Sequence, residues 1–149
     1  MGQTQARTQS EAEALKAAPI AMVAPSSLHA LVAKGDFEGT RKLIEQGADV
    51  EAKDPSTGAS ALHYAVMRGS PDILQYLLGK GVDVNSRTRN GTTPLHTAVL
   101  YNRYEVAEML LNKGADVEAK SSSGATPLAI ATASRNRSMA DLLRARGAK

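Results

Sequence analysis

Gly91-Thr92-Thr93-Pro94-Leu95-His96-Thr97-Ala98 decides how this chain is read. The pattern stands 33 residues earlier as Gly58-Ala59-Ser60-Ala61-Leu62-His63-Tyr64-Ala65 and 33 residues later as Gly124-Ala125-Thr126-Pro127-Leu128-Ala129-Ile130-Ala131. A degenerate copy, Ser26-Ser27-Leu28-His29-Ala30, lies 34 residues before the second. A second motif keeps the same phase. Gly47-Ala48-Asp49-Val50-Glu51-Ala52-Lys53 returns letter for letter at Gly114-Ala115-Asp116-Val117-Glu118-Ala119-Lys120, with Gly81-Val82-Asp83-Val84-Asn85-Ser86-Arg87 between them. Two motifs recurring in register mean that one supersecondary unit is stacked repeatedly.

Each motif residue has a physical task. The hydroxyls of Thr93 and Thr126 are suited to N-cap a helix by accepting a first-turn N–H. Pro94 and Pro127 then fall at the first helical position, where a missing N–H costs nothing. Leu95 and Ala98 begin an apolar stripe, and Ala98 is small enough to admit a partner helix closely. His96 is placed to hydrogen-bond across the turn, to the Thr hydroxyl of its own or a neighbouring unit. Ser26 and Ser60 stand in for Thr as caps.

A period near 33 with a T-P-L-H-x-A core resembles the ankyrin repeat. The resemblance covers residues 26–149. It implies an all-α solenoid of helix–turn–helix units joined by hairpin-like loops, with units at 26–57, 58–90, 91–123 and 124–149. In the first unit, helices are expected over about Ser27–Lys34 and Phe37–Gln46. Gly39 and Thr40 replace the Ile73-Leu74 and Val106-Ala107 of inner units, which predicts a cap face without a packing neighbour. Ser70-Pro71-Asp72 reads as N-cap, first-position Pro and helix-start carboxylate. Asn102 is expected in a left-handed turn. In the fourth unit Ala129 replaces the His, Arg135 the helix-ending Gly or Asn, and Arg144 a stripe Leu, which predicts a C-terminal cap. Residues 1–25 read as a mobile tail, with a capping box at Ser10 and Glu13 that would support a short helix.

With no Cys and no Trp, one Phe and four Tyr, the core must be aliphatic and there is no disulfide or thiolate chemistry. No apolar run reaches the roughly 18 residues that span a bilayer. The start lacks the charged-then-apolar layout of a secretory signal, and Ala6 stands where a myristoylation motif requires Ser or Thr. A cytoplasmic or nuclear location is expected, with no membrane partner. The net charge of +3 is modest and does not mark a nucleic-acid binder.

His29, His63 and His96 share one repeat position. Stacked units stand about 8–10 Å apart, whereas two ligands of one zinc each lie about 2 Å from it, so these histidines are structural and no metal is expected. The glycines are spaced for turns, not for a phosphate loop. No nucleophile–base pair or paired carboxylates emerge, so neither catalysis nor a cofactor is expected.

The resemblance places partner binding at hairpin tips and exposed inner-helix ends. Carried onto this chain, these positions are Lys34, Met67, Arg68, Leu100 and Tyr101 on helices, with Arg87 and Arg89 on a hairpin. Glu51 and Glu118 are expected to offset Lys53 and Lys120, which leaves Arg87 and Arg89 unbalanced at the junction of units two and three. An aromatic and aliphatic patch rimmed by arginines suits another protein, offered as an acidic or amphipathic segment, to a monomeric binder. Nucleic acid or another acidic ligand on the same basic patch is the alternative. Asn85 matches the ankyrin asparagines that an asparaginyl hydroxylase modifies in animal cells.

Overall fold

The computed structural model describes residues 25–149, with side chains from residue 27 onward. The tail and its Ser10/Glu13 capping box lie outside them. Eight helices follow in order: α1 (Pro25–Lys34), α2 (Phe37–Glu45), α3 (Ala61–Arg68), α4 (Pro71–Gly79), α5 (Pro94–Leu100), α6 (Tyr104–Asn112), α7 (Pro127–Ala133) and α8 (Arg137–Ala145). They form four antiparallel pairs. The first helices α1, α3, α5 and α7 pack in one layer, and more closely on one another than do α2, α4 and α6 in the second. Among the described residues no strand forms, only an isolated antiparallel bridge between Lys53 and Ser60. The fold is the all-α solenoid that the repeat predicts.

Packing follows the motif. Ala65, Ala98 and Ala131 have no exposed surface, so neighbouring helices approach to the backbone. Leu28, Leu62, Leu95, Ile73, Leu74, Leu77, Leu110 and Leu143 fill one continuous aliphatic core. Burying each such side chain contributes about 1.5–3 kcal/mol. The Thr93 hydroxyl accepts His96 N–H at 3.3 Å and that of Thr126 accepts Ala129 N–H at 3.1 Å, the two caps expected. Asn102 takes the left-handed turn at φ 55°.

Four expectations change. Ser26 is not a cap, because α1 begins one residue earlier, at Pro25. Ser70 precedes α4 without a side-chain cap bond; Asp72 Oδ1 accepts Ile73 N–H at 2.9 Å instead. Thr40 is buried rather than facing solvent, since its hydroxyl donates to Asp36 O at 2.7 Å and needs no polar surroundings. Asp36 caps α2, its Oδ1 accepting Gly39 N–H at 2.9 Å, and Gly39 suits that cap because a β-carbon there would lie 2.5 Å from Asp36 Oδ2. Lastly, Glu51 and Glu118 do not offset the lysines. Their carboxylates accept the backbone N–H of Asp83 at 2.8 Å and of Lys149 at 3.4 Å, each one unit along.

Candidate functional site

The three histidines tie the stack together. Backbone N–H groups only donate, so the 3.1 Å contacts from Ser60 N to His63 Nδ1 and from Thr93 N to His96 Nδ1 require an unprotonated Nδ1. Each Nε2–H therefore donates: His63 to Thr92 O at 2.9 Å, and His96 to Ala125 O at 2.8 Å, both in the following hairpin. Burial pushes both imidazoles below their ordinary 6.5, in agreement with the neutral tautomer. His29 Nε2 donates to Ala52 O at 2.9 Å, and its ring stacks on Tyr64 with centroids 5.3 Å apart.

Hairpin tips are joined edge to edge as well. Arg89 N donates to Thr57 O at 3.0 Å and Ser122 N to Asn90 O at 2.9 Å. Gly58 and Gly91, at φ 77° and 72°, sit where these tips meet; an added β-carbon would stand 2.8 Å from Arg89 N and 2.9 Å from Ser122 N. No side chain fits there. The first tip is also clamped to α3, because Tyr64 Oη donates to Asp54 Oδ2 at 2.8 Å. Bonds from the Ser56 hydroxyl and amide, then from Tyr64, hold the Asp54 carboxyl well below its usual range.

Between these tips and the ends of α3 and α5 lies a groove of about 410 Å³. Met67, Arg89, Leu100 and Tyr101 line it, with Tyr64 and His63 at its back. Leu100 is 63% exposed and Tyr101 46%, and with Tyr104 they are the exposed large hydrophobics among the described residues. Arg89 is the sole cation lining it, and no carboxylate does.

The other candidate residues are placed elsewhere. Arg68 turns away, lying across Gly35 with Nη1 donating to Ala33 O at 3.3 Å. Arg87 has no ion-pair partner among the described residues, but its guanidinium is held along the stack, donating to Lys120 O, while Lys53 Nζ donates to Arg87 O at 2.7 Å. These cations satisfy carbonyls one unit along. Lys34 ends α1, exposed and outside the groove. Asn85 Oδ1 accepts Asp116 N–H at 2.8 Å, filling the inter-unit role that Glu51 and Glu118 hold elsewhere. Among the described residues no three His, Asp or Glu side chains cluster as metal ligands.

Arg103 was not legible as a contact residue. It precedes α6 without capping it, and its guanidinium reaches back over Gly69 to Met67 O through Nε at 3.2 Å and Nη2 at 2.8 Å. The signal available was its phase, since an Arg occupies the cap position that Ser70 fills one unit earlier.

A stack of paired helices with interlocked hairpins and a groove shared by neighbouring units is a repeat protein of the helical solenoid class. The chain matches the family described as "Ankyrin repeats (3 copies)" over residues 28–121, more than half its length. It belongs to the ankyrin-repeat family, whose repeats are generally protein–protein interaction modules. Over 68 residues, 46% of this chain, it is 43% identical to the 2-5A-dependent ribonuclease of Mus musculus, of which that stretch is 9%. Over 66 residues, 44% of this chain, it is 36% identical to Protein phosphatase 1 regulatory subunit 27 of the same species, 42% of that protein. Over 47 residues, 32% of this chain, it is 43% identical to mouse Ankyrin repeat and SOCS box protein 6, 11% of that protein. The chain thus spans less than half the length of these relatives.

Proposed function

We propose that this chain is a non-catalytic interaction module that holds an acidic or amphipathic segment of another protein in the groove of units two and three. What supports this most is the union of Leu100, Tyr101 and Met67 with Arg89 from two adjacent units, over a wall fixed by the Tyr64–Asp54 bond and the joined tips. A preformed groove loses little entropy on docking. Tyr offers large contact area at low rotamer cost, and Arg offers a planar fork for a carboxylate.

The module acts as a monomer, without cofactor, in the cytoplasm or nucleus, and fractionation with native mass spectrometry tests these points. Nucleic acid on a basic patch of units two and three is the weaker reading, because Arg68 and Arg87 are bonded to backbone carbonyls of neighbouring units. The name of the phosphatase relative, a regulatory subunit, favours a role that alters a partner's activity over passive scaffolding.

The test is a partner recovered with the wild-type chain and measured against paired variants. Replacing Leu100 and Tyr101 by Ala should weaken binding by about 2–4 kcal/mol, as hot-spot residues do. Replacing Glu105 and Glu108 by Ala on α6 should not. The reverse ranking would move the site to the outer layer.

A further inference from the structure

The fourth unit carries a second groove, of about 320 Å³, between α7 and α8. Ala131, Ala140 and Thr132 form its floor, and Arg135, Arg137 and Arg144 rim it. The floor repeats a stacking surface: its counterparts in the third unit, Ala98, Val99 and Ala107, are buried by neighbours. Here Thr132 and Arg144 are exposed. Polarity of either sign would keep such an exposed face soluble. Solubility does not require three arginines and no acid.

Two of these arginines stand where local backbone physics disfavours them. Arg135 adopts φ 57° at the helix-ending position that Gly35, Gly69 and Asn102 fill elsewhere, a conformation in which a β-carbon is crowded. Arg137 opens α8, at the positive end of the helix dipole. The other second-layer helices place an acid in that turn: Glu38 in α2, Asp72 in α4 and Glu105 in α6. Among the described residues, neither guanidinium has a hydrogen-bond or ion-pair partner, and Arg144 reaches only Asp141, at 3.9 Å. Charge is concentrated to match. Residues 124–149 hold Arg135, Arg137, Arg144, Arg146 and Lys149 against the single acid Asp141, a formal +4, whereas the chain as a whole is +3. Breaches of local rules that converge on one surface mark function.

We propose that the groove between α7 and α8 is a docking site for an Asp/Glu-rich segment of a second protein, gripped by Arg135, Arg137 and Arg144. Guanidinium forks pair with carboxylates bidentately. The small alanine floor suits an extended chain. No aromatic ring lines the groove, so nucleobases would find nothing to stack on. The proposal stands apart from the groove of units two and three.

The test titrates the full chain with a fluorescein-labelled Glu/Asp-rich peptide and, separately, with oligothymidylate of equal charge. Binding is read by anisotropy and at the arginine Nε resonances, so that each groove registers on its own. The peptide should shift the Nε signals of Arg135, Arg137 and Arg144. Combining Arg135→Asn, Arg137→Glu and Arg144→Gln should weaken binding at least about tenfold at low salt, the sum of three surface ion pairs. The melting temperature should hold or rise, since Asn tolerates the left-handed turn and Glu suits the helix start. Arg137→Glu alone, at an exposed position, serves if the triple variant folds poorly. Unchanged peptide affinity would overturn the proposal. So would tighter binding of oligothymidylate at the same resonances, or self-association that the triple variant abolishes.

Discussion

Replacing His96 with Ala tests the inter-unit wiring most sharply. The imidazole accepts Thr93 N–H through Nδ1 and donates to Ala125 O through Nε2, and it is 1% exposed. Its removal deletes both bonds and leaves a buried donor and a carbonyl in the next unit without their partner. A lost bond costs about 1 kcal/mol and an orphaned buried group about 1–3 kcal/mol. Water entering the vacated space recovers part of this, so we expect about 2–4 kcal/mol and a fall in Tm of about 10 °C. The pH dependence supplies a signature that packing loss alone lacks. His96 and His63 have folded values below the ordinary 6.5, so the unfolded chain binds more protons wherever pH lies between the two values. Their neutral state therefore stabilises the fold fully above 6.5, and that stability is lost as pH falls below it. Melts followed by circular dichroism from about pH 7.5 to about pH 5.5 should show Tm falling in the wild type. The slope should be shallower in His96→Ala and nearly flat when His63→Ala is added. A His96→Ala protein that melts with the wild type, or keeps its full acid slope, would refute the tautomer and bridge assigned here.

Arg103→Ala should cost about 1–2 kcal/mol, because Met67 O loses two N–H donors; urea unfolding that matches the wild type would contradict this. Arg135→Asn should raise stability by about 0.5–1 kcal/mol by relieving the left-handed turn, and a fall in the urea midpoint would contradict it. Asn85→Ala removes the acceptor of Asp116 N–H, so amide exchange should quicken from residue 116 onward, while equal protection there would count against the staple. For Asn85 hydroxylation, peptide mass spectrometry of protein isolated from animal cells should find one added oxygen at Asn85, and its absence would dismiss the modification.

The fold was legible because stacking imposes its period on the sequence. Thr93, Pro94 and His96 each declare a task that a cap, a helix start and a cross-turn bond require, and Thr126 and Pro127 repeat it. The surface was less legible, because a residue's repeat position says where its backbone stands and not where a long side chain goes. Met67, Leu100 and Tyr101 carry no side-chain N–H donors that would draw them to a neighbouring carbonyl, and they line the groove at their helix ends. Arg68, Arg87 and Lys53 are long enough to reach carbonyls of the adjoining unit, which accept their N–H groups. Charge counting by residue pairs failed for a related reason. Glu51 and Glu118 have backbone amides within reach in the next unit, and these compete with the nearby lysines. Counting charge by whole units would have found the cationic fourth unit, since that property needs no side-chain geometry.

The central claim is that the groove of units two and three receives the partner. Hydrogen–deuterium exchange of the recovered complex tests it most directly. Binding should slow exchange at the tips around residues 56–59 and 88–92 and at the end of α5 around residues 97–101, with α4 and α6 unchanged. Protection confined to α4 and α6, with both tips exchanging as in the unbound chain, would contradict it.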